Sequence, residues 1–255
     1  MYSVKKLNKE EHEGMLFNTR NYGELVITKY VNNKEVYVKF IETGYETKAG
    51  LSDIRNGKVK DRLVPSVCGV GVIGDEITKV NSKVLKEYRL WHNMLERCYC
   101  EKLHKRNPSY ETCEVSENFK SYPYFKEWCN SQIGFNQDGW HLDKDILVKG
   151  NKIYSEDNCC FVPQEINRLF TKHGAKRGNH PIGVYHNKKS GRFAGMLSIN
   201  GKGKSCGEYV TTEEAFCAYK QAKEVYIKEF ANKWKDQIDL RVYEALMKYE
   251  VEIND

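Results

Sequence analysis

Between Gly23 and Phe40 apolar and polar residues alternate in two runs, Leu25-Val26-Ile27-Thr28-Lys29-Tyr30 and Val36-Tyr37-Val38-Lys39-Phe40. Such alternation puts every second side chain on one face of an extended chain and predicts two strands. The link Val31-Asn32-Asn33-Lys34 carries the asparagines of a hairpin turn. Turn glycines at Gly44, Gly50 and Gly57 continue the pattern, so residues 14–74 read as a small all-β module, a short barrel. The run Gly69-Val70-Gly71-Val72-Ile73-Gly74-Asp75 is glycine-rich but lacks the Lys-Ser/Thr ending of a phosphate loop. It reads as a turn from strand to linker.

Beyond residue 77 the period lengthens. Leu85, Tyr88, Trp91, Leu95 and Tyr99 recur every three or four residues and predict a helix with one buried face. Tyr122, Phe125 and Trp128 mark a second helix over about 119–129. Pro123 places its start near the proline, where the missing N–H costs nothing. A strand is predicted over Trp140–Val148, a polar Gly-Asn loop over 150–158, a short strand at Cys160-Phe161-Val162, and a helix from Pro163 to about Phe170.

A basic linker, Lys172 to Asn179, leads to strand patterns at Ile182–His186 and Gly191–Ile199, an Asn200-Gly201 turn, and a third strand near Cys206–Val210. A long helix then opens at Thr212, with Glu213 and Glu214 in its first turn. Its Ala215, Ala218, Tyr219 and Ala222 form a face small enough to lie close against a sheet. Leu240, Tyr243, Leu246 and Met247 give the last stretch an apolar helical face suited to core packing or a subunit contact.

The expected fold is therefore α+β. A small β-barrel-like accessory module occupies 1–76, a central strand-loop-strand-helix module 77–171, a three-stranded sheet with a helix 172–235, and an acidic helix 236–255. The 255 residues, 40% hydrophobic and 30% charged, can build real cores. No run approaches the roughly 18–20 apolar residues of a membrane span, and Met1–Glu13 has no apolar signal core, which argues against secretion and membrane insertion. Nine cysteines in such a chain point to free thiols in a reducing compartment.

Charge changes the picture through its distribution. Residues 1–76 carry 12 basic and 11 acidic groups, and residues 77–170 carry 14 and 13. Residues 171–235 carry 13 and 5, while 236–255 carry 2 and 6. The overall +6 is thus a local excess of +8 in one module, a field that attracts a polyanion.

Within the predicted strand, His141, Asp143 and Asp145 alternate and share a face. Two carboxylates supply hard oxygen ligands for a divalent ion, and the imidazole can accept a proton from water, the parts needed for metal-assisted phosphodiester cleavage. An exposed strand of mixed charge with a surface histidine is the bland alternative.

The longer pattern is more specific: Leu142-Asp143-Lys144-Asp145, then Gly150-Asn151-Lys152-Ile153-Tyr154-Ser155, then Asn158-Cys159-Cys160-Phe161-Val162, then Asn167. It resembles the phage-type HNH homing endonucleases over about 30 residues, and more loosely upstream through Trp91–Tyr99. The resemblance implies a ββα-metal fold in which Asp143 is the first metal ligand and Asn167 the second, on the helix. Asp145 is a further candidate ligand, and Asn158 would fix the loop through hydrogen bonds to backbone. The ion would be Mg²⁺ or Mn²⁺. The family usually places its general-base histidine directly after the metal aspartate, and that position is Lys144 here. His141 would then supply the base, with Lys144 and Arg168 neutralising flanking phosphates.

In the third module, Gly183-Val184-Tyr185-His186-Asn187-Lys188-Lys189-Ser190-Gly191-Arg192-Phe193-Ala194, then Gly207-Glu208-Tyr209 and Thr212-Glu213-Glu214-Ala215, resemble the ethylene-response-factor type of DNA-binding domain. That resemblance implies a three-stranded sheet laid in the major groove of double-stranded DNA, with Tyr185, Lys188, Lys189 and Arg192 contacting phosphates and base edges. Together the two resemblances imply a DNA endonuclease acting in the cytoplasm of an infected bacterial host. A DNA-binding or anti-host regulatory phage protein that keeps the fold without the catalysis is the alternative, and an adaptor binding a protein partner through the N-terminal module is a third. Cys98, Cys100, Cys113 and Cys129, with His92 and His104, lack the paired C-x₂-C spacing of zinc modules and are set aside as a structural zinc site.

Overall fold

A computed structural model of the chain describes residues 12–170, 180–199, 201–253 and 255. The expected basic linker, Lys172 to Asn179, and Asn200 of the expected turn lie outside the described residues. The chain divides into two compact units, Met1–Glu127 and Trp128–Asp255.

In the first unit, β1 (Leu16–Asn18), β2 (Glu24–Asn32), β3 (Glu35–Phe40) and β4 (Glu46–Ala49) form an antiparallel meander in that order. Alternation works as expected: Leu25 and Ile27 of β2 and Val36, Val38 and Phe40 of β3 are all buried in one core. The sheet is open, not a barrel. Its core is closed by Leu51 and Ile54 of α1 (Leu51–Arg55) and by Val59, with no pairing of β1 to β4 among the described residues.

A small hairpin, β5 (Lys79–Val80) and β6 (Lys83–Val84), precedes α2 (Lys86–Tyr99). Trp91 of α2 is fully buried, and its indole N–H donates to the Phe119 carbonyl at 2.7 Å, which satisfies its single polar atom. Tyr88 meets Tyr122 edge-on with centroids 5.2 Å apart. Gly71 lies against this helix so closely that a Cβ there would come within 2.5 Å of Leu95 and 2.9 Å of Trp91. The glycine in that run therefore serves packing. Next come α3 (Glu101–His104), a 3-10 turn at Pro108–Tyr110, β7 (Glu114–Val115), α4 (Glu117–Lys120) and α5 (Tyr122–Ser131). Pro123 falls in the first turn of α5, as its chemistry requires.

The second unit contains β8 (Trp140–Asp143), β9 (Ile153–Tyr154), β10 (Cys160–Pro163) and α6 (Gln164–Leu169), followed by β11 (Val184–Asn187), β12 (Arg192–Ile199), β13 (Lys202–Tyr209), α7 (Thr212–Trp234) and α8 (Leu240–Met247). β8 pairs antiparallel with β10, placing Asp143 opposite Cys160 and His141 opposite Val162. Phe161 packs against Trp128 and Phe135. Cys160 and Val162 enter a core with Ile166 of α6, Ile227 and Ala231 of α7, and Val242 and Leu246 of α8.

β11, β12 and β13 form an antiparallel sheet in chain order, and Val184 and Leu197 pack on Ala215, Phe216 and Tyr219 of α7. Gly183 has φ +74°, and a Cβ there would fall 2.3 Å from the Tyr219 ring. Thr211 caps α7. The Thr211 hydroxyl accepts from the Glu214 N–H, and the Glu214 carboxylate accepts from the Thr211 N–H, both at 3.2 Å. The residues after 235 are core: Ile238, Val242 and Leu246 join one cluster and Val251 the other. Among the described residues no helix is long and apolar enough to cross a membrane.

Candidate functional site

Asp143 ends β8. Its Oδ1 accepts from the backbone N–H groups of Asp145 at 2.7 Å and Ile146 at 2.8 Å, so its carboxylate caps the turn that follows. A short acceptor side chain that captures the next backbone donors competes directly with the sheet ladder. The strand expected over Trp140–Val148 therefore stops at Asp143, and Asp145 does not share its strand face. Oδ2 of Asp143 carries no hydrogen bond among the described residues. Burial raises the Asp143 pKa above the ordinary carboxylate value, against the two backbone donors and the nearby Lys144 charge, which lower it.

Lys144 is 7% exposed. Its ammonium donates to Asp145 Oδ1 at 2.7 Å and to the Asn151 carbonyl at 2.8 Å, and lies 5.7 Å from the centre of the Tyr154 ring. A side chain so enclosed fastens the loop. Asp145, expected as a further metal ligand, accepts this ammonium through Oδ1.

Asn151 holds the loop from its other side. Its Nδ2 donates to the carbonyls of Lys144 at 2.7 Å and Ile153 at 2.8 Å, while its Oδ1 accepts from the Ile153 N–H at 3.1 Å and from Asn158 Nδ2 at 3.2 Å. All four hydrogen-bonding positions of one amide are used. Asn158, expected to fix the loop through backbone, joins it through this bond to the Asn151 amide. The signal was present in the Gly150-Asn151 pair, where an asparagine after a turn glycine is a standard backbone partner.

His141 is exposed on β8, two residues before Asp143 and on the same strand face. Asn167 is half-buried on α6, which follows β10 directly and packs against both β8 and β10. Arg168 is the exposed neighbour of Asn167. The elements carrying His141, Asp143 and Asn167 therefore form one ββα arrangement. Among the described residues no group of three or more His, Cys, Asp or Glu side chains converges for a metal. A pair of oxygen donors from one aspartate and one asparagine is not of that kind. Arg241 ties α8 to the loop, donating to Asp239 Oδ2 at 2.9 Å and reaching the Asp157 carbonyl at 3.4 Å.

On the three-stranded sheet the register sets Tyr185 opposite Ala194 and Ala194 opposite Glu208, with Asn187 opposite Arg192. Tyr185, Arg192 and Glu208 are exposed on the sheet face away from the Val184–Leu197 core, and Lys188 and Lys189 are exposed in the β11–β12 turn. Glu208 had no place in the expected set. Its carboxyl, fully exposed, is held below the ordinary glutamate value by hydrogen bonds from Ser190 and Asn187, the latter at 2.5 Å, with a smaller contribution from Arg192. A carboxylate thus stands on the same exposed face as Arg192. The chain matches no family model, no curated protein and no solved structure.

Proposed function

We propose that the protein is a metal-dependent DNA endonuclease of the phage HNH homing type, with the three-stranded sheet as its DNA reader. The observation that carries this reading is the ββα arrangement: antiparallel β8 and β10, helix α6 directly after β10, and His141, Asp143 and Asn167 on those elements. Asp143 Oδ2 and the Asn167 amide oxygen are hard donors of the kind that suit Mg²⁺ or Mn²⁺. Such an ion, when bound, stabilises the negative charge on the leaving oxygen.

The chain's own residues do the rest. Water attacks the phosphorus, the bond to the leaving oxygen breaks with its electron pair, and the water proton passes to a ring nitrogen of His141. Asp143 is held in position by the two N–H groups it caps, so its ligand oxygen needs no reorganisation. Arg168 lies beside Asn167 to meet a flanking phosphate. Tyr185, Lys188, Lys189 and Arg192 supply the phosphate and base-edge contacts of the reader.

The enclosure of Lys144 favours one competing reading, a DNA-binding protein without catalysis, because it leaves His141 alone as a base. Supercoiled and linear duplex DNA incubated with Mg²⁺, with Mn²⁺ and with EDTA separates the two. Metal-dependent nicking lost in Asp143→Ala and His141→Ala supports the nuclease. Salt-sensitive binding without cleavage selects the competitor, and absence of both sinks each.

A further inference from the structure

We infer that the first unit carries a second phosphodiester-binding surface, an open basic cleft beside the N-terminal sheet that takes the backbone of duplex DNA. The inference rests on the proposed endonuclease reading for the choice of polyanion. The cleft has a volume of about 720 Å³, and its walls include Lys34, Lys48, Lys58, Lys60 and Arg62.

Those cations come from separate places in the chain: the β2–β3 turn, strand β4, and the segment after α1. Residues 1–76 are almost neutral, with 12 basic and 11 acidic groups, yet the cleft gathers five cations against two acids, Asp53 and Asp61. Asp61 is buried, with one carboxylate oxygen on the Thr43 hydroxyl and the other accepting the Leu63 N–H at 2.8 Å. The fold has therefore sorted charge that composition does not show.

The display of the lysines has a local cause. Val59 is buried in the sheet core, and Lys58 and Lys60 on either side of it are both exposed. Among the described residues no ion pair ties Lys34, Lys58 or Lys60; Lys48 approaches Glu35 only at 3.6 Å. Arg62 donates to the Glu76 carbonyl, which fixes its guanidinium at the cleft wall. The Thr47 and Ser66 hydroxyls add neutral donors.

The shape argues for a chain of phosphates. Small-molecule sites are enclosed and mainly apolar with a few placed polar groups, whereas this cleft is open, lined largely by charged and polar side chains, and many times the size of one phosphate. Lysine acts on phosphate as a flexible point charge and releases counterions from DNA without reading sequence. The surface adds affinity, and sequence choice stays with the three-stranded sheet.

The test is the salt dependence of full-length protein binding to a random-sequence duplex, read by fluorescence anisotropy. Lys58→Ala/Lys60→Ala is compared with wild type and with Lys79→Ala/Lys83→Ala, a pair of exposed lysines outside the cleft. Each lost phosphate contact lowers the slope of log K against log salt by about 0.9. The cleft variant is expected to bind more weakly at low salt and to lose about tenfold less affinity than wild type between about 50 and about 200 mM salt. The control pair should keep the wild-type slope. Wild-type binding with an unchanged slope in the cleft variant overturns this inference and leaves the endonuclease reading standing. A poly-glutamate peptide that binds wild type and not the cleft variant, with DNA slopes equal, assigns the cleft to an acidic protein segment and also overturns it. No salt-sensitive binding by wild type removes both readings.

Discussion

Lys144 and Asn151 each hold the other's backbone carbonyl: the lysine ammonium donates to the Asn151 oxygen at 2.8 Å, and the asparagine amide donates to the Lys144 oxygen at 2.7 Å. The exchange closes the segment between them immediately after the candidate metal ligand Asp143. It also gives a physical reason for a lysine where the resembled family has its histidine. The position is occupied by a fastener, so any base must come from elsewhere, and His141 is the imidazole on the same strand.

Breaking that exchange should cost stability more than DNA affinity. Asn151→Ala removes an amide with four hydrogen bonds and strands the part-buried Lys144 carbonyl, so a loss of about 1–3 kcal/mol is expected in urea unfolding. Lys144→Met should behave alike while leaving the salt slope of DNA binding unchanged. A slope that falls by about one unit in Lys144→Met would mean the ammonium meets phosphate after all.

Asp143 separates structure from chemistry. Asp143→Asn keeps an oxygen for both backbone donors, whereas Asp143→Ala strands them at a cost of about 1–3 kcal/mol. Both variants should lack metal-dependent cleavage, and only the alanine should unfold more easily. The pH dependence has a definite sign. Burial raises the folded pKa, so the folded state binds this proton more tightly than the unfolded state does. The Asp143 contribution to stability is most favourable below the unfolded carboxylate value and declines as pH rises through the folded one. Asn carries no such penalty, so the stability of Asp143→Asn relative to wild type should rise between acidic and neutral pH. Parallel denaturation curves at both pH values check it, and a difference that shrinks instead refutes the burial argument.

Glu208 should restrain indiscriminate binding. Its carboxylate opposes phosphate on the face that bears Tyr185 and Arg192, so Glu208→Gln is expected to tighten binding to random duplex DNA about threefold at low salt, roughly the effect of one exposed charge. Equal affinity for random DNA in variant and wild type would place the DNA on another surface.

All nine cysteines are free thiols. Burial pushes the Cys159 pKa up to about 12 and raises that of Cys160 further. Alkylation of the folded protein at pH about 8, followed by mass spectrometry, should modify the exposed Cys217 first and spare Cys159 and Cys160, because the thiolate is the reactive form. Prompt labelling of Cys160 would show that the β8–β10 core opens readily.

What could be read from sequence follows from the range of the forces involved. The faces of β2 and β3 were legible because one side of each strand is buried, which leaves Leu25, Ile27, Val36, Val38 and Phe40 in register with the period. In the second unit β11, β12 and the long helix carry buried positions, whereas β13 (Lys202–Tyr209) has none and only its end from Cys206 was legible. The run Ile146-Leu147-Val148 looked like a continuation of β8, but one carboxylate oxygen of Asp143 diverts two backbone donors, and apolar pattern alone cannot register that competition. The Lys144–Asn151 exchange joins residues with no shared periodicity. The gathering of lysines at the N-terminal cleft depends on which strands end near one another, and a charge count by segment cannot detect it.

Helix α7 has one further consequence. Its first half supplies Ala215, Phe216 and Tyr219 to the core beneath the three-stranded sheet, and its second half supplies Ile227 and Ala231 to the core beneath β10 and α6. A fragment cut after residue 171 would leave Cys160, Val162 and Ile166 without their floor. The proposed reader and the proposed cutting site therefore share one structural element and cannot be traded separately by recombination as interchangeable cassettes. Under that proposal, a new target specificity arises by substitution on the exposed face of the sheet, with the shared helix retained.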